Sequence, residues 1–172
     1  MTNRRRHLIA RAALVLMVVL TAVATQAQDT ATVLTGAEAN RIVPPGFYFQ
    51  GQSAPTQMRN SAVARFGTKR FVIAGLVDTA GYAADIREKY QGFFITDSPI
   101  KINGSELAAG AYGFGFTKDG KLSILDLTNK DVLSVSATKD TELQRARPLM
   151  MTTTDQGVRL YAGKDYVVIT AN

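Results

Sequence analysis

The regular spacing of short β-type runs constrains the fold of this 172-residue chain more than any other feature. Runs rich in aromatic and β-branched residues recur roughly every 10 residues and are separated by turn residues. The clearest turn is Asp119-Gly120, between the runs Tyr112–Thr117 and Lys121–Leu127, and Asp131–Ala137 extends this hairpin to a meander. The pattern predicts a mainly β fold, an antiparallel β-sandwich or small barrel of about 8–10 short strands with one or two short helices.

Two segments carry helix signals instead. Thr35 and Glu38 match a capping box at the start of a short helix, which must end before Pro44. Tyr82 and Tyr90 lie on one side of a second predicted helix, over residues 82–90. The other strands are predicted at Phe47–Phe49, Gln57–Phe66, Arg70–Val77, Gly92–Thr96, Pro148–Thr153, Val158–Tyr161 and Tyr166–Thr170, with a tight turn at Asn103-Gly104.

The first 27 residues have the composition of a cleavable signal peptide. A basic start precedes Ala12–Ala24, a run of 13 uncharged residues. As a helix this run would be about 20 Å long, shorter than the roughly 30 Å hydrocarbon core, which disfavours the alternative of an uncleaved anchor. Small residues place the cleavage after Ala24 or Ala27. Arg5-Arg6 resembles a twin-arginine signal, but the general secretory route is the favoured prediction.

The leader also sets the expected domain organisation. Residues 28–34 are polar and small and predict a flexible lead-in, and residues 35–172 predict a single β-rich domain. We expect the released protein in the periplasm or outside the cell, with no permanent membrane span after signal cleavage.

Removal of the leader changes the charge and the available chemistry. It takes away four of the 20 Lys and Arg residues and none of the 14 Asp and Glu residues, leaving 16 basic and 14 acidic residues and a net charge of +2. Such a near-neutral chain does not predict nucleic-acid binding. The only histidine, His7, lies in the leader, and cysteine is absent throughout. We therefore expect no metal site, no cofactor, no disulfide, and neither a thiol nor a Ser-His-Asp nucleophile.

One strand of the predicted hairpin alternates aromatic residues with glycine. Tyr112, Phe114 and Phe116 share one face of this strand. Gly113 and Gly115 leave the opposite face bare, which predicts close contact with a helix, a neighbouring sheet or a ligand. The favoured interpretation is that the aromatic residues fill the core while the glycines accept the helix or a bend in the sheet. The alternative is a ligand platform that includes Tyr112, Gly113 and Gly115.

Four further residues are candidates for ligand binding. Tyr48 points away from its aromatic neighbours, and in an exposed position it would stack on a sugar ring or a peptide. Arg59 and Asn60, together with Gln57 and Arg65, place polar groups on both faces of their strand, which indicates either a polar pocket or a strand end at the solvent rim. Asp78 lies between a strand and a helix, where it either belongs to a site or caps the helix.

A short motif supports the sandwich architecture. Glu106–Tyr112 contains Leu-x-Ala-Gly-x-Tyr and is similar to a strand-entry motif of several uncharacterised exported bacterial β-sandwich domains. The similarity covers seven residues, and it implies a fold without implying an activity.

Together these features predict an exported, non-catalytic β-domain that binds a ligand or partner through an aromatic and polar surface or pocket. The expected partner is a small molecule, a glycan or an envelope protein. One alternative is a carboxylate-based, glycosidase-like hydrolase, which needs two carboxylates about 5–10 Å apart in a cleft. Another is a structural or assembly subunit of the cell envelope that pairs through an exposed strand edge.

Overall fold

The computed structural model describes residues 30–171, and the predicted leader, residues 1–27, lies outside them. The described chain is mainly β, with two antiparallel sheets and two short helices, so the predicted sandwich architecture is confirmed. Between residues 30 and 171 there is no helix of the length and apolar character that a bilayer crossing requires. In chain order the elements are β1 Ala31–Leu34, α1 Gly36–Ile42, β2 Gly46–Phe49, β3 Gln52–Phe66, β4 Arg70–Val77, α2 Ala84–Arg87, β5 Gly92–Thr96, β6 Ile100–Ile102, β7 Ser105–Leu107, β8 Gly110–Phe116, β9 Lys121–Leu125, β10 Asp131–Ser136, β11 Thr138–Lys139, β12 Arg147–Thr154, β13 Gly157–Gly163 and β14 Asp165–Ala171.

The two sheets pack face to face around the main core. The larger sheet has the order β1-β3-β4-β5-β8-β9-β10, with β2 paired to β3, and includes the predicted meander β8-β9-β10. The smaller sheet has the order β12-β13-β14-β6-β7, with β11 paired to β14. Apolar side chains from the inner faces of both sheets form this core. The largest of them are Phe66, Phe94, Phe114, Leu122 and Ile124 from the larger sheet and Ile100, Ile102, Leu160 and Ile169 from the smaller one.

A second core lies on the opposite face of the larger sheet. The β2–β3 hairpin, both helices and their connections cover this face. Phe49 stacks on Tyr90 with ring centroids 3.9 Å apart, and the ring of Tyr82 meets Tyr90 edge-on at 5.1 Å. Burial raises the pKa of both tyrosines. The larger sheet is therefore buried on both faces, which explains why consecutive residues such as Ala62, Val63 and Ala64 are all buried.

The N-terminal part of the domain differs from its predicted form. Residues 28–34 are predicted as a flexible lead-in, but Ala31–Leu34 is a strand whose Leu34 is buried and pairs with Val63. A polar, small-residue composition does not reveal the free edge of β3 that receives this strand. The helix after Thr35 is confirmed, but the Thr35 side chain makes no capping bond, and Glu38 instead forms an ion pair with Arg65 at 3.6 Å.

The second helix is shorter than its predicted span of residues 82–90. It covers only Ala84–Arg87. Tyr82 lies in a turn before it, where its hydroxyl donates to the carbonyl of Phe49 at 3.3 Å. Packing of the two tyrosines into the second core thus limits the helix to one turn, although their spacing fits a helical face.

Asn103 connects the two sheets through its side chain. It lies in the predicted tight turn with Gly104, between β6 and β7, at φ +47°. Its Oδ1 accepts from the backbone N–H of Val168 at 2.7 Å, and its Nδ2 donates to the carbonyl of Ser136 at 2.8 Å. Val168 belongs to the smaller sheet and Ser136 to the larger, so one amide bridges both layers.

We expect Asn103→Gly to lower the free energy of unfolding by about 1–2 kcal/mol, because glycine keeps the left-handed backbone but removes both bonds. Asn129→Gly is the matched control, since Asn129 has φ +69° and its Oδ1 makes no hydrogen bond within residues 30–171. The unfolded-state cost of a new glycine is the same in both variants. Urea unfolding measures the difference, and equal losses would show that the Asn103 bridge contributes nothing.

Candidate functional site

A cleft opens at one end of the sandwich, where strands of both sheets end. Its cavity volume is about 460 Å³. The larger sheet and its connections contribute Gln57, Thr79 and Thr117, and the smaller sheet contributes Ala162 and Asp165. This volume lies in the range of small-molecule pockets. The lining mixes apolar walls with hydroxyl, amide and charged groups, which is the composition that fixes the orientation of a polar ligand.

A wide bulge in β3 shapes one rim of the cleft. Thr56 pairs with Val77 and Ser61 pairs with Gly75, so residues 57–60 lie opposite Leu76 alone. The strict alternation predicted for residues 57–66 is therefore interrupted before Ser61. Such bulges redirect side chains and are common beside binding sites.

Hydrogen bonds hold the bulge in one shape. Gln57 Nε2 donates to the carbonyl of Val77 at 3.1 Å, and Asn60 Nδ2 donates to Gln57 Oε1 at 2.8 Å. Ser61 Oγ donates to the carbonyl of Met58 at 2.8 Å. A side-chain amide has two donor hydrogens and two acceptor positions. The bonds to Val77 and Asn60 use one donor and one acceptor of Gln57, so a second donor and a second acceptor remain for a ligand at the rim.

Gln91 fixes the floor of the cleft between β5 and β8. Its Nε2 donates to the carbonyl of Phe116, and its Oε1 accepts from the Phe116 N–H, both at 3.0 Å. Its backbone N–H donates to the carbonyl of Phe114 at 2.8 Å. The side chain thus extends the β5–β8 ladder by one step past Gly92, and the end of β8 is held in place.

A polar cluster on the outer face of the smaller sheet supports the opposite wall. Tyr161 donates its hydroxyl to Asp140 Oδ2 at 2.8 Å, and the guanidinium of Arg159 lies 4.5 Å from the ring centre of Tyr166. The Tyr161 hydroxyl, and then the backbone N–H groups of residues 142 and 143, lower the pKa of Asp140. Tyr161 and Tyr166 directly flank Ala162 and Asp165, so this cluster anchors the hairpin that lines the cleft.

The glycine face of β8 is covered by the protein itself. A Cβ on Gly113 would lie 2.4 Å from Cε2 of Phe49, and one on Gly115 would lie 2.2 Å from the backbone oxygen of Lys89. The covering groups are the ring of Phe49, in β2, and the backbone of the segment that follows α2. Both glycines are buried, and this contact leaves no room for a ligand at either one.

Tyr112 locks the entry of β8. Its ring faces the main core with Phe114, and its hydroxyl donates to the carbonyl of Ala108 at 3.1 Å. A Cβ on Gly110 would lie 2.8 Å from this hydroxyl, so the glycine of the Leu-x-Ala-Gly-x-Tyr motif lets the tyrosine fold back over the turn. The motif thus stabilises the turn at the start of β8.

The other four predicted residues do not line the cleft. Tyr48 is 59% exposed on the outer side of the β2–β3 hairpin, and Arg59 is exposed on the bulge. Asn60 contacts the cleft indirectly, through Gln57. Asp78 is exposed, and its carboxylate accepts from the N–H of Ala80 at 3.0 Å, which closes a local turn and does not cap α2.

Sequence reasoning missed most of the groups that line the cleft. The polar character of Gln57 is visible in the sequence, but the bulge that brings it to the rim is not. Arg87 and Asp165 are 78 residues apart, and no local pattern links them. Asp165 is the only carboxylate among the described lining residues, whereas the hydrolase alternative requires two. Within residues 30–171, no three His, Cys, Asp or Glu residues converge as a metal-ion site would need.

Comparison with known proteins found no match to this chain among protein-family models, curated proteins or solved structures.

Substitution of the two β8 glycines should distinguish contact with a side chain from contact with backbone. Gly113→Ala pushes the Phe49 ring, and we expect a loss of about 1–3 kcal/mol that Phe49→Leu partly relieves, giving a favourable coupling in a double-mutant cycle. In Gly115→Ala the new Cβ meets a backbone oxygen that Phe49→Leu does not move. The losses of unfolding free energy from these two substitutions should therefore add. Urea unfolding of all five variants measures both couplings. A ligand platform at Gly113 would instead predict additive losses there too.

The Asp140–Tyr161 bond should be visible in acid titration. Because the pKa of Asp140 is lower in the folded protein than its ordinary value of 3.8, the ionised carboxylate stabilises the fold at pH values above 3.8. This stabilisation is lost as the pH falls through the lowered pKa of the folded protein. We expect Tyr161→Phe to raise the Asp140 pKa toward 3.8, as measured by NMR of the carboxyl carbon. Tyr166→Phe is the control, since its hydroxyl makes no bond to Asp140. An unchanged pKa in Tyr161→Phe would contradict the assignment.

Proposed function

We propose that this chain is an exported, non-catalytic β-domain that binds a small polar ligand in the end cleft. The observation that carries the proposal is the convergence of polar side chains from both sheets on one cavity of about 460 Å³. The basic start and the short apolar run of the leader support export.

The rigidity of both walls favours binding over a simple packing gap. Hydrogen bonds hold the β3 bulge and the Gln91 side chain on one wall, and the Asp140 cluster supports the hairpin of the other. A site whose lining is already ordered loses little conformational entropy when a ligand binds. The polar groups are therefore presented in a fixed arrangement, as recognition of one ligand class requires.

The two alternatives receive less support. A glycosidase-like hydrolase would need a second carboxylate in the cleft beside Asp165. An envelope assembly subunit would use a free strand edge, and β10 forms the outer edge of the larger sheet with Val132 exposed. The carbonyl of Ser136 on this strand accepts from Asn103, so one acceptor position of the strand is already used.

NMR mapping with a small-molecule panel tests the proposed function. The ¹⁵N-labelled domain is titrated with neutral disaccharides, short peptides, nucleosides and small carboxylates. We expect at least one class to shift the amides of Thr79, Thr117 and Asp165, because these residues line the cleft.

Ala162→Phe fills the cleft and should abolish those shifts. Ala37→Phe places the same ring on the exposed surface of α1 and should leave them unchanged. Shifts centred on Tyr48, or binding that survives in Ala162→Phe, would place the ligand elsewhere. A panel that shifts no cleft amide would overturn the proposed function.

A further inference from the structure

We propose that Asn103-Gly104 is a site of spontaneous modification, at which water hydrolyses the side-chain amide of Asn103 and so removes a contact between the two sheets. The native hydrogen bonds of Asn103 hold the amide unreactive while the fold is intact. Neither residue lines the end cleft, so this inference does not depend on the ligand binding proposed above.

The order Asn-Gly favours this reaction chemically. Asparagine is one of the thermolabile residues, and a following glycine has no Cβ that would hinder its backbone nitrogen. That nitrogen attacks Cγ of Asn103, a C–N bond forms, and Nδ2 leaves as ammonia, which also takes the proton of the Gly104 N–H. Water then cleaves the resulting cyclic imide, giving either aspartate or isoaspartate, in which the main chain continues through the side-chain carbonyl. Water is the only co-reactant, and no oxidation or reduction takes place.

The dipeptide is accessible at the tip of the β6–β7 hairpin. Asn103 and Gly104 are both exposed. A Cβ on Gly104 would have no atom of the described chain within 4 Å, so the attacking nitrogen is not crowded on that side. The two residues have φ values of +47° and +83°, the left-handed turn conformation that Asn and Gly adopt most readily. Water therefore reaches this dipeptide in the folded protein.

Hydrogen bonds oppose the reaction while the protein is folded. Asn103 Oδ1 accepts from the Val168 N–H at 2.7 Å, and Nδ2 donates to the carbonyl of Ser136 at 2.8 Å. The backbone N–H of Asn103 also donates to the Val168 carbonyl at 2.8 Å. Attack at Cγ changes the planar amide to a tetrahedral carbon, and Nδ2 then departs, so both side-chain bonds must open first. The amide reacts only in the fraction of molecules in which this contact is open.

The products of the reaction cannot restore the contact. The ionised carboxylate of aspartate has no hydrogen to donate, so an oxygen in the place of Nδ2 would face the carbonyl oxygen of Ser136. Isoaspartate adds a carbon to the main chain within the tight turn, where Ile102 pairs with Ser105. Either product removes the bond from the smaller sheet to Ser136 of the larger sheet, and the loss is permanent.

Ageing of the protein at mildly alkaline pH tests the proposal. Peptide mapping by mass spectrometry measures the deamidated fraction at Asn103 in the folded protein and in the chain unfolded in urea. We expect the unfolded chain to react at least about tenfold faster, because the folded protein must first open two hydrogen bonds. Equal rates would overturn the protection by these bonds. An Asn103 that stays unmodified in the unfolded chain would overturn the site itself.

Lys130→Gly provides a matched comparison, because it creates a second Asn-Gly pair in the same chain. Asn129 also has a left-handed backbone, with φ +69°, but its Oδ1 makes no hydrogen bond within residues 30–171. In the folded variant we expect Asn129 to deamidate about tenfold faster than Asn103. Equally slow reaction at both residues would show that the turn backbone alone protects them, and the role of the side-chain bonds would be overturned.

Brief proteolysis of an aged sample at intermediate urea tests the effect on the fold. Molecules modified at Asn103 should be depleted from the protease-resistant fraction, because they have lost a bond between the sheets and open more often. Molecules of Lys130→Gly that are modified at Asn129 should not be depleted. A resistant fraction that keeps its share of modified Asn103 would overturn the structural consequence. Asn103→Asp gives a uniform sample, and its urea midpoint should lie below that of Asn129→Asp.

Discussion

The larger sheet must be covered on both of its faces, and the rest of the structure follows from this requirement. The smaller sheet covers one face with a conventional sandwich core. The other cover is only a hairpin, two short helices and their connections, so it must approach closely to exclude water. Gly113 and Gly115 permit that approach, because they admit the ring of Phe49 and the backbone at Lys89 against β8. The aromatic face of the same strand serves the main core.

The end cleft lies where the larger sheet is covered by two different structures, the smaller sheet on one face and the hairpin with the two helices on the other. The ends of β4 and β8 project between the smaller sheet on one side and the α2 segment on the other. The residues that line the cleft come from both of these covers and from the larger sheet between them. Side chains from both covers, including Arg87 and Asp165, therefore face a shared space. The cleft is a product of the architecture, and its polar lining is the basis of the proposed binding function.

Local signals in the sequence predict what local chemistry determines. The Asp119-Gly120 and Asn103-Gly104 turns form where their dipeptides indicate, and β4 and β5 have their predicted bounds. The alternation of glycine with aromatic residues correctly predicts a face that contacts other protein, because a bare strand face needs a cover. Strand β1 and the β3 bulge depend on pairing with distant residues, so their own compositions do not reveal them. The cleft joins segments that are far apart in the chain, and for the same reason none of the predicted ligand-binding residues lines it.

The arrangement of charge gives the cleft its chemical character. Elsewhere in the described chain, Glu38 with Arg65 and Lys89 with Asp131 form ion pairs across neighbouring segments. Asp165 begins β14, and its backbone is held in register with Ala162. The short α2 likewise sets where the backbone of Arg87 lies. The lining of the cleft therefore includes one cationic and one anionic residue at fixed backbone positions. For the ligand binding proposed above, electrostatic complementarity to these two residues is one basis of selectivity.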